Sequence, residues 1–143
     1  MKIVEKLINV NGLETKGINL VTEEGNHCTT LVNMTPHDIH YYADGKKLFT
    51  VPTSGLPAIR LSEKNVDEKI YLEMNFVKKE YKEAENLPNE QEGVLYIVSK
   101  MVQDAVDRKD FICPDTGIGA VRDDGSVTGR VGNILGTTCW VEK

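Results

Sequence analysis

The chain has 143 residues, 40% of them hydrophobic and 27% charged, with a formal net charge of −5 at pH 7. That length supports one domain with a real core rather than two, and the composition is that of a globular protein, not a disordered one. The acidic balance argues against a general nucleic-acid binder, which carries a basic face, and no apolar run is long enough to span a bilayer.

The opening MKIVEKLINVNG is ambiguous. Ile3, Val4, Leu7 and Ile8 fit one helical face, but the β-branched content suits a strand equally well. Asn11-Gly12 marks a turn. Ile18 to Val21 is a second apolar piece, followed by a turn at Glu24-Gly25-Asn26. From Thr29 the pattern is β. Thr30 to Asn33 reads as a strand that stops at Thr35-Pro36, because proline removes a ladder donor. DIHYY and KKLFTV flank Ala43-Asp44-Gly45, a hairpin signal. VPTSGLP is then a rigid turn and AIRLS a short strand.

In KIYLEMNFV, Ile70, Leu72, Met74 and Phe76 alternate with Tyr71, Glu73 and Asn75, which predicts one half-buried strand. KKEYKEAE extends or pairs with it, with a helix as the rival. NLPNEQEG is a loop, and VLYIVS is an apolar strand expected at the centre of a sheet. Ser99 stands at an N-cap position. Met101, Val102, Ala105 and Val106 then form one helical face, with Lys100, Gln103, Asp104, Asp107 and Arg108 on the solvated side. The helix is expected over about residues 100–109 and is ended by FICPDTGIG. AVRDDGSVTGRVG reads as a hairpin around Asp124-Gly125, and TTCWVEK as a last edge strand. The sum is an α+β fold, a mostly antiparallel β-sheet with that helix and room for a second near the N-terminus. Residues 29–143 make a single ligand-binding domain, with residues 1–28 as an N-terminal extension packed on it.

Three widely spaced cysteines, Cys28, Cys113 and Cys139, make no disulfide framework and suit a reducing compartment. MKIVEKLINV lacks the apolar stretch and cleavage site of a secretory signal, so the expected location is the cytosol. His37 and His40, with His27 and Cys28 upstream, are too few and too loosely spaced for a zinc site. Cys113 lies between apolar Ile112 and Pro114, where cysteines are usually inert packing residues. Gly117-Ile118-Gly119 follows a helix instead of opening one, so it fails as a phosphate cradle. Asp123-Asp124 sits in a turn that favours aspartate for local hydrogen bonding. No catalytic residue, metal or cofactor is expected.

The arginines are the remaining signal. Arg60 stands alone, while Arg108, Arg122 and Arg130 fall in the last third of the chain. The plain reading has Arg108 offsetting a helix dipole and Arg122 neutralising Asp123-Asp124. The functional reading has Arg108, Arg122 and Arg130 converging beside the glycine-rich loop. Their guanidinium forks would grip phosphate oxygens, and Tyr96, Phe111 or Tyr81 would stack a base.

Four stretches occur in a telling order: VNMTPHDI (Val32–Ile39), VPTSGLPAIR (Val51–Arg60), AENLPNEQEGVLYIVS (Ala84–Ser99) and DRKDFICPDTG…AVRDDGSVTG (Asp107–Gly129). Together they resemble a family of small phage and prophage proteins that includes the first-described anti-Thoeris sponges. The resemblance covers about residues 30 to 130. It implies a cytoplasmic protein of the infected bacterial host that sequesters a cyclic ADP-ribose isomer, or a cyclic oligonucleotide, without cleaving it. It also implies a homo-oligomer with sites at subunit interfaces, and it carries Arg108 and Arg122 over as phosphate or ribose contacts. Residues 1–28 have no counterpart in that pattern, and the tail after Gly129 is longer than the short strand it leads one to expect. A nucleotide-signal hydrolase and a phage interaction protein without a small ligand are the alternatives.

Overall fold

The computed structural model describes residues 1–123 and 132–143. Strand β1 (Lys2–Val10) turns through Asn11 (φ 53°) and Gly12 (φ 85°) into β2 (Leu13–Val21). Two successive positive φ values are what a tight hairpin needs, and Asn-Gly tolerates them best. The helical alternative for the N-terminus is thereby corrected. Its β-branched residues are used in a nine-residue antiparallel ladder from Lys2↔Val21 to Val10↔Leu13.

Strand β3 (Cys28–Asn33) pairs with β2, and β4 (Ile39–Ala43) with β5 (Lys46–Val51) around the expected Asp44-Gly45 turn. The predicted single strand KIYLEMNFV is instead folded on itself. β6 (Glu63–Tyr71) and β7 (Met74–Tyr81) are joined by Leu72 (φ 50°) and Glu73 (φ 61°). AIRLS forms no strand, and only Arg60 bridges to Glu85.

After β8 (Val94–Ile97), helix α1 covers Lys100–Ala105 and stops short of the expected residue 109. Ser99 caps it by accepting from Val102 N. Val106 is already extended at φ −114° and ψ 123°. Lys143 Nζ closes that end, donating to the carbonyls of Gln103 at 2.8 Å and Val106 at 3.0 Å. The helix also rotates its faces relative to expectation. Met101 is 61% exposed, whereas Gln103 is 2% exposed and donates to Phe111 O and Val141 O. Turned inward, Gln103 uses its amide on these two strand carbonyls and on Cys113 Sγ, and this overrides the polarity pattern.

Strand β9 (Phe111–Pro114) falls where the sequence suggested only a helix stop. β10 (Ala120–Arg122) pairs with β11 (Ile134–Thr137), and β12 (Trp140–Val141) is the expected last edge strand. The main sheet has the order β1-β2-β3-β8-β9-β12 and the second β10-β11-β4-β5, with β6-β7 a separate ribbon. Pairing is antiparallel except at β3/β8, β8/β9 and β11/β4. Among the described residues the fold is thus mostly β with one short helix. Residues 1–28 supply two full strands of the main sheet.

The parallel centre explains VLYIV, a continuous apolar run, because a strand covered on both faces has no polar side. Val94, Tyr96 and Val98 join Val10, Val32, Val102 and Phe111 on the face covered by α1. Ile97 joins Ile18, Leu31, Ile112, Phe49 and Val51 on the face covered by the second sheet. No helix among the described residues is long and apolar enough to cross a membrane.

Candidate functional site

The segment Asn33–His37 is shaped by its first residue. Asn33 is fully buried, and its amide nitrogen donates to His37 O at 2.7 Å and Val51 O at 3.0 Å. Its amide oxygen accepts from Thr35 N at 2.9 Å and Thr35 Oγ1 at 2.6 Å. Asp38 in turn accepts from Thr53 N, and Thr53 Oγ1 donates to Thr35 O. One buried amide therefore fixes where His37, Asp38 and Ile39 stand.

The loop after β9 is built in the same manner. Asp115 accepts from Gly117 N at 2.8 Å and Gly119 N at 3.0 Å, while Thr137 Oγ1 donates to Asp115 O. Gly136 on β11 passes so close to the His40 carbonyl and the Tyr42 ring that a methyl group would collide with both. Between these parts lies a cleft of about 260 Å³, lined by His37, Asp38, Ile39 and His40, by Pro114–Thr116, and by residues 134–137. His40 Nδ1 is 2.7 Å from Thr50 Oγ1. Arg122 does not line the cleft itself; its Nη2 donates to the carbonyl of Thr116, which does, and its Nη1 to Gly132 O, both at 3.1 Å.

Among the described residues, Arg108 and Arg122 do not converge. Arg108 belongs to the other face of the main sheet. Its Nε donates to Asp110 Oδ1 at 2.9 Å, Nη2 holds the second Asp110 oxygen and Nη1 the Pro88 carbonyl. Its guanidinium carbon lies 4.5 Å from the Phe111 ring centre and 5.8 Å from that of Tyr96. Tyr96 and Phe111 are both 0% exposed, so neither offers a ring face to a base. Their sequence signal was real as a cluster, but the cluster is structural. Arg108 does not sit on a helix end either, because α1 stops three residues earlier.

Arg60 is exposed, and its backbone bridges Glu85. Arg130, the Asp124-Gly125 turn and the side chain of Tyr81 lie outside the described residues. Among those described, no three His, Cys, Asp or Glu side chains gather as a metal set. Cys113 is 2% exposed with its Sγ on Gln103 Oε1, and burial pushes its thiol above the ordinary range. That is the opposite of an activated nucleophile.

Sequence reasoning missed Asp38 and Thr137, since each bonds the backbone of a distant loop, and Asp115, whose local bonds to Gly117 N and Gly119 N are of the kind that aspartate before glycine signals. Comparison of the chain with protein-family models, curated proteins and solved structures gave no match.

Proposed function

We propose that the chain is a phage-encoded sponge that binds a cyclic nucleotide immune signal, a cyclic ADP-ribose isomer or a cyclic oligonucleotide. It holds the signal uncleaved and so suppresses bacterial anti-phage defence in the cytoplasm of the infected host. One observation carries the reading. His37–Ile39 and Pro114–Thr116, drawn from two of the stretches behind the family resemblance, line a single cleft, and Arg122 is hydrogen-bonded to the Thr116 carbonyl of its wall. The Arg122 fork is the phosphate contact on this reading. A cleft of about 260 Å³ falls below the roughly 300–1,000 Å³ of pockets that enclose a small molecule. A second subunit completing the site accounts for that shortfall.

The test is calorimetric titration with cyclic ADP-ribose isomers and cyclic oligonucleotides, then denaturation and mass spectrometry of what is released. Saturable binding with intact ligand recovered, weakened at least tenfold by Arg122→Ala, is the expected result. Cleaved product makes the protein a hydrolase, and absence of binding removes the sponge.

A second reading, an interaction protein without a small ligand, has one feature in its favour. The β6–β7 ribbon exposes Ile70 (75%), Leu72 (72%) and Met74 (51%) at its tip. Capture of a protein partner that is lost on Leu72→Ser, together with no nucleotide binding, would favour it.

A further inference from the structure

The second sheet does not cover the whole inner face of the main sheet. Beyond its edge lies a groove of about 300 Å³, floored by Leu20, Leu31, Leu95 and Ile112 and bounded by Trp140. Thr22, Thr29, His27 and Glu142 stand at its margin. The groove is separate from the cleft around His37 and Asp115, although β9 serves both, with Ile112 in one and Pro114 in the other.

Trp140 is the large aromatic side chain in the groove's lining. Phe49 stacks on Tyr41 with centroids 5.1 Å apart and planes 11° apart, and Tyr41 stacks on Trp140 at 5.4 Å and 19°. This column of three near-parallel rings ends at the residue that borders the groove. Near-parallel packing of this kind favours another flat ring over an aliphatic chain. The volume stands at the lower limit of small-molecule pockets, about 300 Å³, which suits one planar ring system better than an extended molecule. The apolar floor would carry the ring, and the threonine hydroxyls and His27 would meet the polar atoms on its edge.

We infer that this groove is a stacking site for one planar nitrogen heterocycle of nucleobase size, with Trp140 as the stacking residue. The choice of a nucleobase among flat rings rests on the proposed function, whereas the stacking geometry does not. Of the lining residues, Leu95 and Ile112 lie within the stretches behind the family resemblance, whereas Leu20, Thr22, His27, Thr29 and Trp140 lie outside them.

Trp140 is the only tryptophan in the sequence, so its fluorescence reports on the groove directly. Adenosine and guanosine, which carry no phosphate, are the probes. The expected result is saturable quenching of Trp140 emission, with protection of the indole from acrylamide. Thr29→Arg, which fills the groove from its half-buried margin, should abolish both effects while leaving the thermal melt in place. By calorimetry, Trp140→Leu should weaken nucleoside binding about tenfold, within the range of base–aromatic stacking, and Trp140→Phe should retain most of it. Arg122→Ala should leave nucleoside binding intact. Absence of saturable quenching, or nucleoside binding that survives Thr29→Arg, overturns the inference. Should cyclic nucleotides bind equally well to wild type and Thr29→Arg, the sponge stands and the groove falls. Nucleosides that bind the groove when no cyclic nucleotide binds anywhere leave the groove standing and remove the sponge.

Discussion

The guanidinium carbon of Arg108 stands 4.5 Å from the centre of the Phe111 ring while its Nε donates to Asp110 Oδ1 at 2.9 Å. Both ionic side chains are largely withdrawn from water, at 13% and 18% exposure. Removing the arginine leaves a carboxylate against apolar rings and the Pro88 carbonyl without its donor. Arg108→Ala is therefore expected to destabilise the fold by about 3 kcal/mol, at the low end for a broken buried pair because some water contact remains. Urea unfolding should show a lower midpoint with an unchanged slope. Arg108→Lys should recover only part, since an ammonium cannot grip a carboxylate with a planar fork. An alanine variant as stable as wild type would show that the cluster holds nothing together.

Asn33 makes a sharper prediction, because its amide is satisfied on both sides by the loop that forms the cleft wall. Asn33→Ala strands the Val51 carbonyl and the Thr35 N–H, whereas the His37 carbonyl keeps Thr35 Oγ1 at 3.0 Å. A loss of about 3 kcal/mol follows from two unsatisfied groups that regain part of their water. Asn33→Asp keeps the acceptor but points a negative charge at two carbonyl oxygens, so it should be worse than alanine. Thermal melts of the two variants decide the point, and an aspartate variant more stable than the alanine one would refute this account.

These two residues also mark how far the sequence can be read. Asn11-Gly12, Asp44-Gly45 and the run VLYIV announced a turn, a hairpin and a central strand, because each effect is local: a required φ, or burial on both faces. Leu72-Glu73 announced nothing, since neither residue favours a positive φ and the alternation runs on through the turn. Gln103 misled because its burial is decided by carbonyls on β9 and β12. Arg108 does lie against Tyr96 and Phe111, but away from Arg122 and with both rings buried. Whether such a cluster faces solvent or the core depends on how α1 and the loop through Pro88 close over it. The cleft was least legible, since its walls meet only once β4, β9 and β11 are placed.

The turn at Leu72 and Glu73 is consequently improvable. Non-glycine residues in the left-handed region cost roughly 1–2 kcal/mol each, and an Asn-Gly pair relieves that cost in a two-residue hairpin. Leu72→Asn with Glu73→Gly should slow amide hydrogen exchange along β6 and β7. The global melting temperature should scarcely move, because the ribbon is paired to neither sheet. A rise in global stability equal to the local one would mean that the ribbon unfolds together with the core.

The last expectation concerns alkaline pH. Burial raises the Tyr96 phenol above its ordinary 10.0, with Gln91 opposing through a hydrogen bond, and burial likewise raises the Cys113 thiol above 9.0. Both groups are neutral when protonated, so the native state keeps protons that the unfolded chain has already released. Stability from these groups is complete below pH 9.0, where the unfolded thiol begins to ionise, and is lost as pH rises through the folded values. The Lys100 ammonium, raised chiefly by its hydrogen bond to Asp104, acts in the same direction from a still higher starting point. Melting temperatures measured from pH 7 to 11 should hold steady and then fall. Tyr96→Phe should flatten the upper part of the fall and Cys113→Ala the earlier part. Tyr96→Phe should also lower the plateau by about 1 kcal/mol, the usual worth of a hydrogen bond such as the one lost to Asn89 O. If both variants fall with the wild-type slope, these two groups do not set the alkaline limit.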